Sequence, residues 1–475
     1  MGASYGDENP IAAFATLPGK SALTLIRCSG RGAIELAAGI FSKPEKLLNA
    51  AGNTVVHGWI AASGEKIDET LVSVFRAPKS YTGEDGLDIS CHGGAAAGWG
   101  VMHALREAGF RDALPGEFTF RAFMNGKLDL TRSESVMELV SARTGEGRRH
   151  AVKRLSGTLQ TEINAIKKTL ATVLSGAEMF LDYSEDEIGA DPEEAEGRLP
   201  GKGPAEEALV RLKNLASSWR RERIYQEGIP AAIAGRPNAG KSSLFNLLLK
   251  EERSIVTEIP GTTRDWIEAW ISIEGVPIRL LDTAGLRDSG DPVEKIGVER
   301  SRRLLEEAEL VLYLIDGAEG LTAGDRVFLE DFEKAGGNER TLPSRQILIL
   351  WNKADIAPMP ESFSPAAGRP ISVSAKTGEG IPELTGAIAG ALANRATAAF
   401  DNPQSAALGS VRQKNLVDAA AAALEEALFL AGRGEPLDLI APLLREAVNA
   451  LGEITGEIST ADILEEMFSR FCVGK

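Results

Sequence analysis

Between residue 11 and about residue 125, short apolar runs rich in β-forming residues, such as SALTLIRCSG and ETLVSVFRAP, alternate with Gly and Pro punctuation. One helical stretch lies near residues 99–108, so the pattern predicts a small α+β domain. From Ser133 the period changes. Val136, Leu139, Val140, Leu155, Leu159, Ile163, Ile166, Leu170 and Leu174 recur mostly at three- and four-residue steps, which predicts a long amphipathic helix. Residues 184–207 then hold nine acidic residues against two basic ones, with Pro192, Pro200 and Pro204, and read as a solvated loop. Over residues 229–393 apolar β-rich runs (PAAIAG, IRLLDT, LVLYLID, QILILWN, ISVSA) alternate with helical patterns, the signature of a mostly parallel, doubly wound sheet. Helical periodicity returns over 411–431, 437–451 and 461–471. The simplest topology is an α/β domain inserted into a helical one and preceded by the α+β domain. Its boundaries fall at 1–127, 128–227, 228–395 and 396–475.

A chain of 475 residues has room for roughly three domains. Its 52 Lys and Arg against 68 Asp and Glu leave a formal charge of −16, so the molecule as a whole lacks the field that binds nucleic acid non-specifically; any RNA must be met by a local patch or a partner. Three cysteines, Cys28, Cys91 and Cys472, make no disulfide framework and fit a reducing cytoplasm. The start, MGASYGDENP, lacks the pattern of a secretory leader, and Gly6 stands where a myristoylation signal wants Ser or Thr. No apolar run reaches the ~18 residues of a membrane span. The four histidines, His57, His92, His103 and His150, show no metal-ligand spacing, and His92 in CHGG reads as a structural or pocket residue.

The chemistry concentrates after residue 229. GRPNAGKS, Gly235 to Ser242, is a full G-x-x-x-x-G-K-S between an apolar run and a helical one, the context in which backbone N–H groups cradle phosphates at a helix N-terminus. Lys241 reaches the β- and γ-phosphates, and the Ser242 hydroxyl sits on Mg²⁺. Asp282, Thr283, Ala284 and Gly285 form D-x-x-G at a strand end, for the magnesium shell and the γ-phosphate. Asn352, Lys353, Ala354 and Asp355 follow QILILW. A carboxylate there accepts from both N1–H and the exocyclic amine of guanine, a donor pair adenine lacks, so the nucleotide is GTP. Ser374, Ala375 and Lys376 complete a guanine-facing loop, and Thr263 offers a hydroxyl to Mg²⁺ when a γ-phosphate is present. Such a loop, ordered by the phosphate and released by hydrolysis, is a switch.

In combination these motifs resemble the tRNA-modification GTPase MnmE (TrmE) family, whose G domain is Ras-like, and the resemblance runs nearly the length of the chain. The N-terminal segments ATLPGKSALTLIRCSG, YTGEDGLDISCHGG and PGEFTFRAFMNGKLDLTRSESVMELVSA follow the family's order, and FCVGK matches its C-[ILV]-G-K ending. Leu286 stands where most regulatory G proteins carry the water-orienting Gln, and a hydrocarbon cannot position water. The resemblance assigns that work to Glu294. It also implies a K⁺ ion in place of an arginine finger, held by Asn238 and by carbonyls of Thr257, Ile259 and Thr262, although Arg264 and Arg287 flank the switches. The GTP site it implies adds Ala239, Gly240, Ser243, Glu258, Pro260 and Gly261 to the residues above. It further implies a tetrahydrofolate one-carbon derivative, 5-formyl or 5,10-methylene, held in a folate-binding N-terminal dimerisation domain by Arg27, Glu84, Lys127 and the terminal Lys475, with Cys472 a candidate reactive thiol. Lys20, Ser21, Ala22 and Leu23 replace the family's early Gly-rich stretch. The implied assembly is a homodimer in the cytoplasm, working with an FAD-containing MnmG-like partner on the wobble uridine of tRNA, which the partner mainly engages. The rival class is an Era- or Der-like switch in ribosome assembly, but neither a basic KH-type module nor a second G domain is visible.

Overall fold

A computed structural model describes residues 5–182, 199–251, 268–282, 304–305, 307–336, 346–361, 363, 370–396 and 406–474. The chain divides into two compact units. One comprises Met1–Met137, Arg154–Leu212 and Asn415–Lys475, the other Glu138–Lys153 and Lys213–Lys414.

In the first unit, β1 (Ile11–Phe14), β2 (Leu23–Ser29), β3 (Thr54–Ala62), β4 (Glu65–Phe75), β5 (Gly86–His92) and β6 (Arg111–Asp112) form one sheet in the order β3-β4-β5-β2-β1-β6. Alternation along the strands decides what each face buries. Ile26, Cys28, Val72, Val74, Leu87 and Ile89 point into a core with α1 (Ala33–Gly39) and α3 (Ala95–Ala108). Short helices α1 and α2 (Pro44–Leu48) add to the single helix the sequence pattern predicts there. On the other face, Phe118 of α4 (Glu117–Met124) covers Ile11 and Ala13 of β1. Val55 of β3 and Leu71 of β4, whose partners are Ser73 and His57, stay 62% and 50% exposed.

The predicted long helix is three: α5 (Leu130–Ser141), α6 (Gly145–Leu155) and α7 (Thr158–Asp182). Gly157, at φ +94°, sits in the left-handed region and ends the second, while the Thr144 hydroxyl accepts from Gly147 N at 3.0 Å and starts it. Apolar period alone does not register such caps. The acidic stretch is shorter than predicted, since α8 spans Lys202–Glu227 and takes in Pro204. Proline is tolerated in a first turn, where the N–H has no helical partner. Within this unit α7 packs along α13 (Leu437–Thr455), burying Ile163, Ile166 and Leu170 on one side and Ile440, Leu444 and Leu451 on the other. Earlier in the chain than α13, α12 (Val411–Gly432) begins among the residues of the second unit and ends among those of the first. The last helix, α14 (Ala461–Ser469), sets Phe468 edge-on to Phe120 at 5.4 Å, in a cluster with Leu130 and Phe471.

In the second unit β7 (Ile229–Gly235), β8 (Glu268–Ile273), β9 (Val276–Asp282), β10 (Leu310–Asp316), β11 (Gln346–Asn352) and β12 (Ile371–Ser372) are ordered β12-β11-β10-β7-β9-β8. All pairs are parallel except β8 with β9, as the doubly wound reading expects. α9 (Lys241–Glu251) and α10 (Ala323–Gly336) lie between strands in the chain, α11 (Ile381–Ala396) follows the last strand, and β10 is buried along its whole length, as a central parallel strand must be. Among the described residues no helix is long and apolar enough to cross a membrane.

Candidate nucleotide site and the family of the chain

The loop from β7 to α9 carries GRPNAGKS, and its glycines are required by their neighbours. A Cβ on Gly235 (φ +140°) would fall 2.4 Å from the Leu314 carbonyl oxygen, and one on Gly240 (φ +96°) 2.2 Å from Nδ2 of Asn352. Asn238 also has positive φ, 63°, a strain that non-Gly residues accept where the site needs the loop's shape. Lys241 Nζ donates to the carbonyls of Gly235 and Arg236 at 3.0 and 2.8 Å, which holds the ammonium across the mouth of the loop. Ser242 and Ser243, in the first turn of α9, are exposed. A single protein hydroxyl suits Mg²⁺, which keeps water and phosphate oxygens for most of its shell.

Asn352 ends β11 and joins the motifs. Its Nδ2 donates to the Ala239 carbonyl at 2.6 Å and its Oδ1 accepts from Ala375 N at 2.9 Å, with the side chain buried. One amide thus ties the GRPNAGKS loop to the loop of Ser374, Ala375 and Lys376, 113 residues away in one direction and 23 in the other. Ser374 Oγ donates to Asp355 Oδ1 at 2.7 Å, orienting the carboxylate, which is itself exposed. The desolvation cost of leaving it unpaired therefore arises when a base covers it. Lys353 (φ +65°) pairs with Asp316 Oδ2 at 2.5 Å, and Arg236 with Glu319 at 2.6 Å. Sequence reading did not single out Asp316, Arg236 or Glu319. Asp316 closes the predicted strand LVLYLID, a position that could have flagged it, whereas Glu319 has no signal of its own.

The backbone of Asp282 ends β9, next to β7. Its side chain lies outside what is described, as do Thr257, Glu258, Ile259, Pro260, Gly261, Thr262, Thr263, Thr283, Ala284, Gly285 and Glu294, so the switch residues and the candidate water-orienting Glu lie outside the described residues.

The family models match along this whole framework. A model described as the MnmE helical domain covers residues 130–472, and one described as the GTP-binding protein TrmE N-terminus covers 10–127. The chain belongs to the MnmE family. The tRNA modification GTPase MnmE of Treponema denticola is 43% identical over 481 residues, 99% of each chain. Those of Carboxydothermus hydrogenoformans and Symbiobacterium thermophilum are 38% and 39% identical, covering 98% of this chain and all of theirs.

The N-terminal residues carried over from the MnmE family lie around one loop, 77–86, but make different contacts. Arg27 on β2 forms a two-pronged pair with Asp88 on β5, at 3.0 and 3.2 Å, and lies 5.9 Å from the Tyr81 ring. Glu84 accepts from Ser29 Oγ at 2.8 Å and from buried Arg121 at 3.2 Å. Lys127 Nζ donates to the Pro78 carbonyl at 3.0 Å. Arg27, Ser29, Tyr81 and Asp88 line a cavity of about 80 Å³. Asp88, Tyr81 and Arg121 are members that sequence reading missed, because register and a turn bring them in. The tail docks on the same unit: Gly116 N donates to the Cys472 carbonyl at 3.2 Å, and a Cβ on Gly474 (φ +91°) would meet the Phe14 carbonyl oxygen at 2.3 Å. Cys472 is exposed, while Cys28 and Cys91 are buried; burial pushes both buried thiols up, that of Cys91 to about 11. Lys475 lies outside the described residues.

His92 is held by Asp68, with Nδ1 2.7 Å from Oδ1 while Oδ2 accepts from the His92 backbone N–H at 2.7 Å. The hydrogen bond and then the charge of Asp68 raise the imidazole above its ordinary 6.5. The imidazolium is the form Asp68 holds, so this stabilisation is complete below the ordinary range and fades as pH rises through the raised native value. Asp68→Asn is expected to bring the His92 titration, followed by proton NMR, down toward 6.5.

Proposed function

We propose that the chain is a GTP hydrolase that, with an FAD-containing MnmG-like partner, adds a carboxymethylaminomethyl-type group to C5 of the wobble uridine of certain tRNAs. The observation that carries the reading is the Asn352 bridge: the phosphate loop and the oriented Asp355 are knit into one site. The family names of the relatives, each a tRNA modification GTPase, support the substrate class. In this reading Mg²⁺ binds Ser242 and Thr263, and K⁺ binds Asn238 with the Thr257, Ile259 and Thr262 carbonyls, adding positive charge beside the phosphates as G domains pair. Glu294 orients the attacking water. GTP binding and hydrolysis gate a conformational change that reaches the tail and a folate site.

The folate reading draws support from Arg27, which lines the cavity, and Glu84, which accepts from the lining Ser29; both are already partnered within the chain. About 80 Å³ is well short of the roughly 300–1,000 Å³ of ligand pockets, so one copy would supply part of the site and a second copy the remainder. The exposed Val55 and Leu71, on the face that α4 covers only at β1, offer apolar surface for that second copy. The domain limits 1–127, 128–227, 228–395 and 396–475, and a cytoplasmic location, belong to the same proposal.

The test is GTP turnover by the wild type and Glu294→Ala in KCl and NaCl at equal ionic strength, with tRNA modification followed by mass spectrometry. Wild type is expected to turn over far faster in KCl. Glu294→Ala is expected to keep GTP affinity and lose turnover and modification together, by about 10²-fold or more, the scale of one lost transition-state contact. Equal rates in the two salts would point to an arginine finger instead.

A further inference from the structure

The second unit carries a concentration of positive charge that the nucleotide chemistry does not use. Residues 143–153 hold four basic residues and one acid, 213–223 four and one, and 411–414 two and none, in a chain where acids outnumber bases by 68 to 52. Seven of those ten basic residues are Arg.

These segments meet in space. His150 of α6 lies 2.8 Å from Glu222 of α8 and stacks on Tyr225 with ring centres 4.6 Å apart. Farther along α8, Ser218 Oγ accepts from Leu408 N at 3.1 Å and Gln226 donates to the Gly409 carbonyl at 2.7 Å, which brings in the start of α12. Both acids are engaged within the assembly. Glu222 is fully buried against His150 and Arg221, and Glu146 pairs with Arg149. Arg148, Lys213, Arg220 and Arg223 are exposed, and Arg149 keeps 68% of its side chain in solvent. The pairs Arg149–Glu146 and Arg223–Glu227, at 2.7 Å each, are surface ion pairs worth about 0–1 kcal/mol, which a phosphate can displace.

Resting on the tRNA reading above, we infer that this arginine-rich surface of α6 and α8 binds the sugar–phosphate backbone of the tRNA, so that this chain as well as its partner holds the substrate. Guanidinium groups match phosphate oxygens two at a time, and neutralising phosphates releases counterions, so the contact is strong at low salt and fades steeply as salt rises. The acidic remainder of the molecule repels a polyanion and confines it to this face.

The test uses the full-length chain, alone and with its partner protein, and an unmodified tRNA transcript, with NaCl varied at fixed KCl. A variant carrying Arg148→Ala, Arg220→Ala and Arg223→Ala is expected to bind at least about tenfold more weakly at low salt, with the salt slope of log K reduced by about three, one per lost phosphate contact. GTP turnover is expected to stay at the wild-type rate, which also certifies the fold, and Arg148→Lys, which keeps the charge but not the two-pronged contact, is expected to keep the wild-type salt slope. Unchanged affinity and slope in the triple variant, while the wild type binds tRNA, would overturn the inference and leave the tRNA reading standing. Loss of partner binding with tRNA affinity intact would overturn it too, making the surface a protein dock. If the wild type with its partner neither binds nor modifies tRNA, the tRNA reading fails and this inference with it.

Discussion

Asp355→Asn is expected to weaken GTP binding by about 10²–10⁴-fold, since two hydrogen bonds to an ionised acceptor are worth about 1.5–3 kcal/mol each. In the proposed site the carboxylate accepts from guanine N1–H and from the exocyclic amine. Its neighbour Ser374 Oγ holds the other side of the group at 2.7 Å, so the acceptor lone pairs are aimed before the base arrives. An Asn turns one acceptor into an NH₂ donor facing the guanine amine, which replaces attraction by repulsion between like dipoles. Xanthine carries a carbonyl where guanine has that amine, so the same variant is expected to gain affinity for xanthosine triphosphate while its ATP affinity stays poor. Calorimetric titration with the three nucleotides decides the matter. An unchanged ratio of GTP to ATP affinity would remove Asp355 as the group that reads the base.

Asn352→Ala is expected to cost about 2–6 kcal/mol of stability even without nucleotide, because two buried backbone groups, the Ala239 carbonyl and the Ala375 N–H, lose their partner at once. The damage extends to function: the phosphate loop and the guanine-facing loop would no longer be held in register, and GTP affinity is expected to fall with stability. Asn352→Asp makes the sharper comparison. It keeps an acceptor for Ala375 N but sets a carboxylate oxygen against the Ala239 carbonyl, so it too is expected to destabilise, by repulsion instead of by loss. Urea unfolding of each variant without nucleotide, paired with GTP titration, measures both effects. Wild-type stability in Asn352→Ala would show that the bridge is incidental.

The elements most legible in the sequence are those whose cause is local. The buried β10 and the half-buried β11 carry apolar runs, and GRPNAGKS stands between a strand and a helix because backbone cradling needs that connection. The apolar period of α7 and α13 reproduces the faces they bury. Where reading by period failed, a single backbone angle or first-turn rule intervened, as at Gly157, which ends α6, and Pro204, which α8 absorbs. Short helices such as α1 and α2 are too brief to show a period.

Side-chain partnership is the harder part. Arg27 and Glu84 came from resemblance, yet what they touch, Asp88 in one case and Ser29 with Arg121 in the other, follows from strand register and from the turn after residue 77. Neither is written in the neighbourhood of the residue itself. The amino-acid sequence by itself determined the order of sheet and helix, the G-x-x-x-x-G-K-S loop between strand and helix, and the place of Asp355 just after a strand, because these depend on spacing and residue type over a few positions. Only the tertiary structure decided that Asn352 joins the loops around Ala239 and Ala375, that Arg27 pairs with Asp88, and that three basic-rich segments of the second unit meet. Those outcomes depend on distances between parts far apart in the chain, which close packing determines and local pattern does not encode.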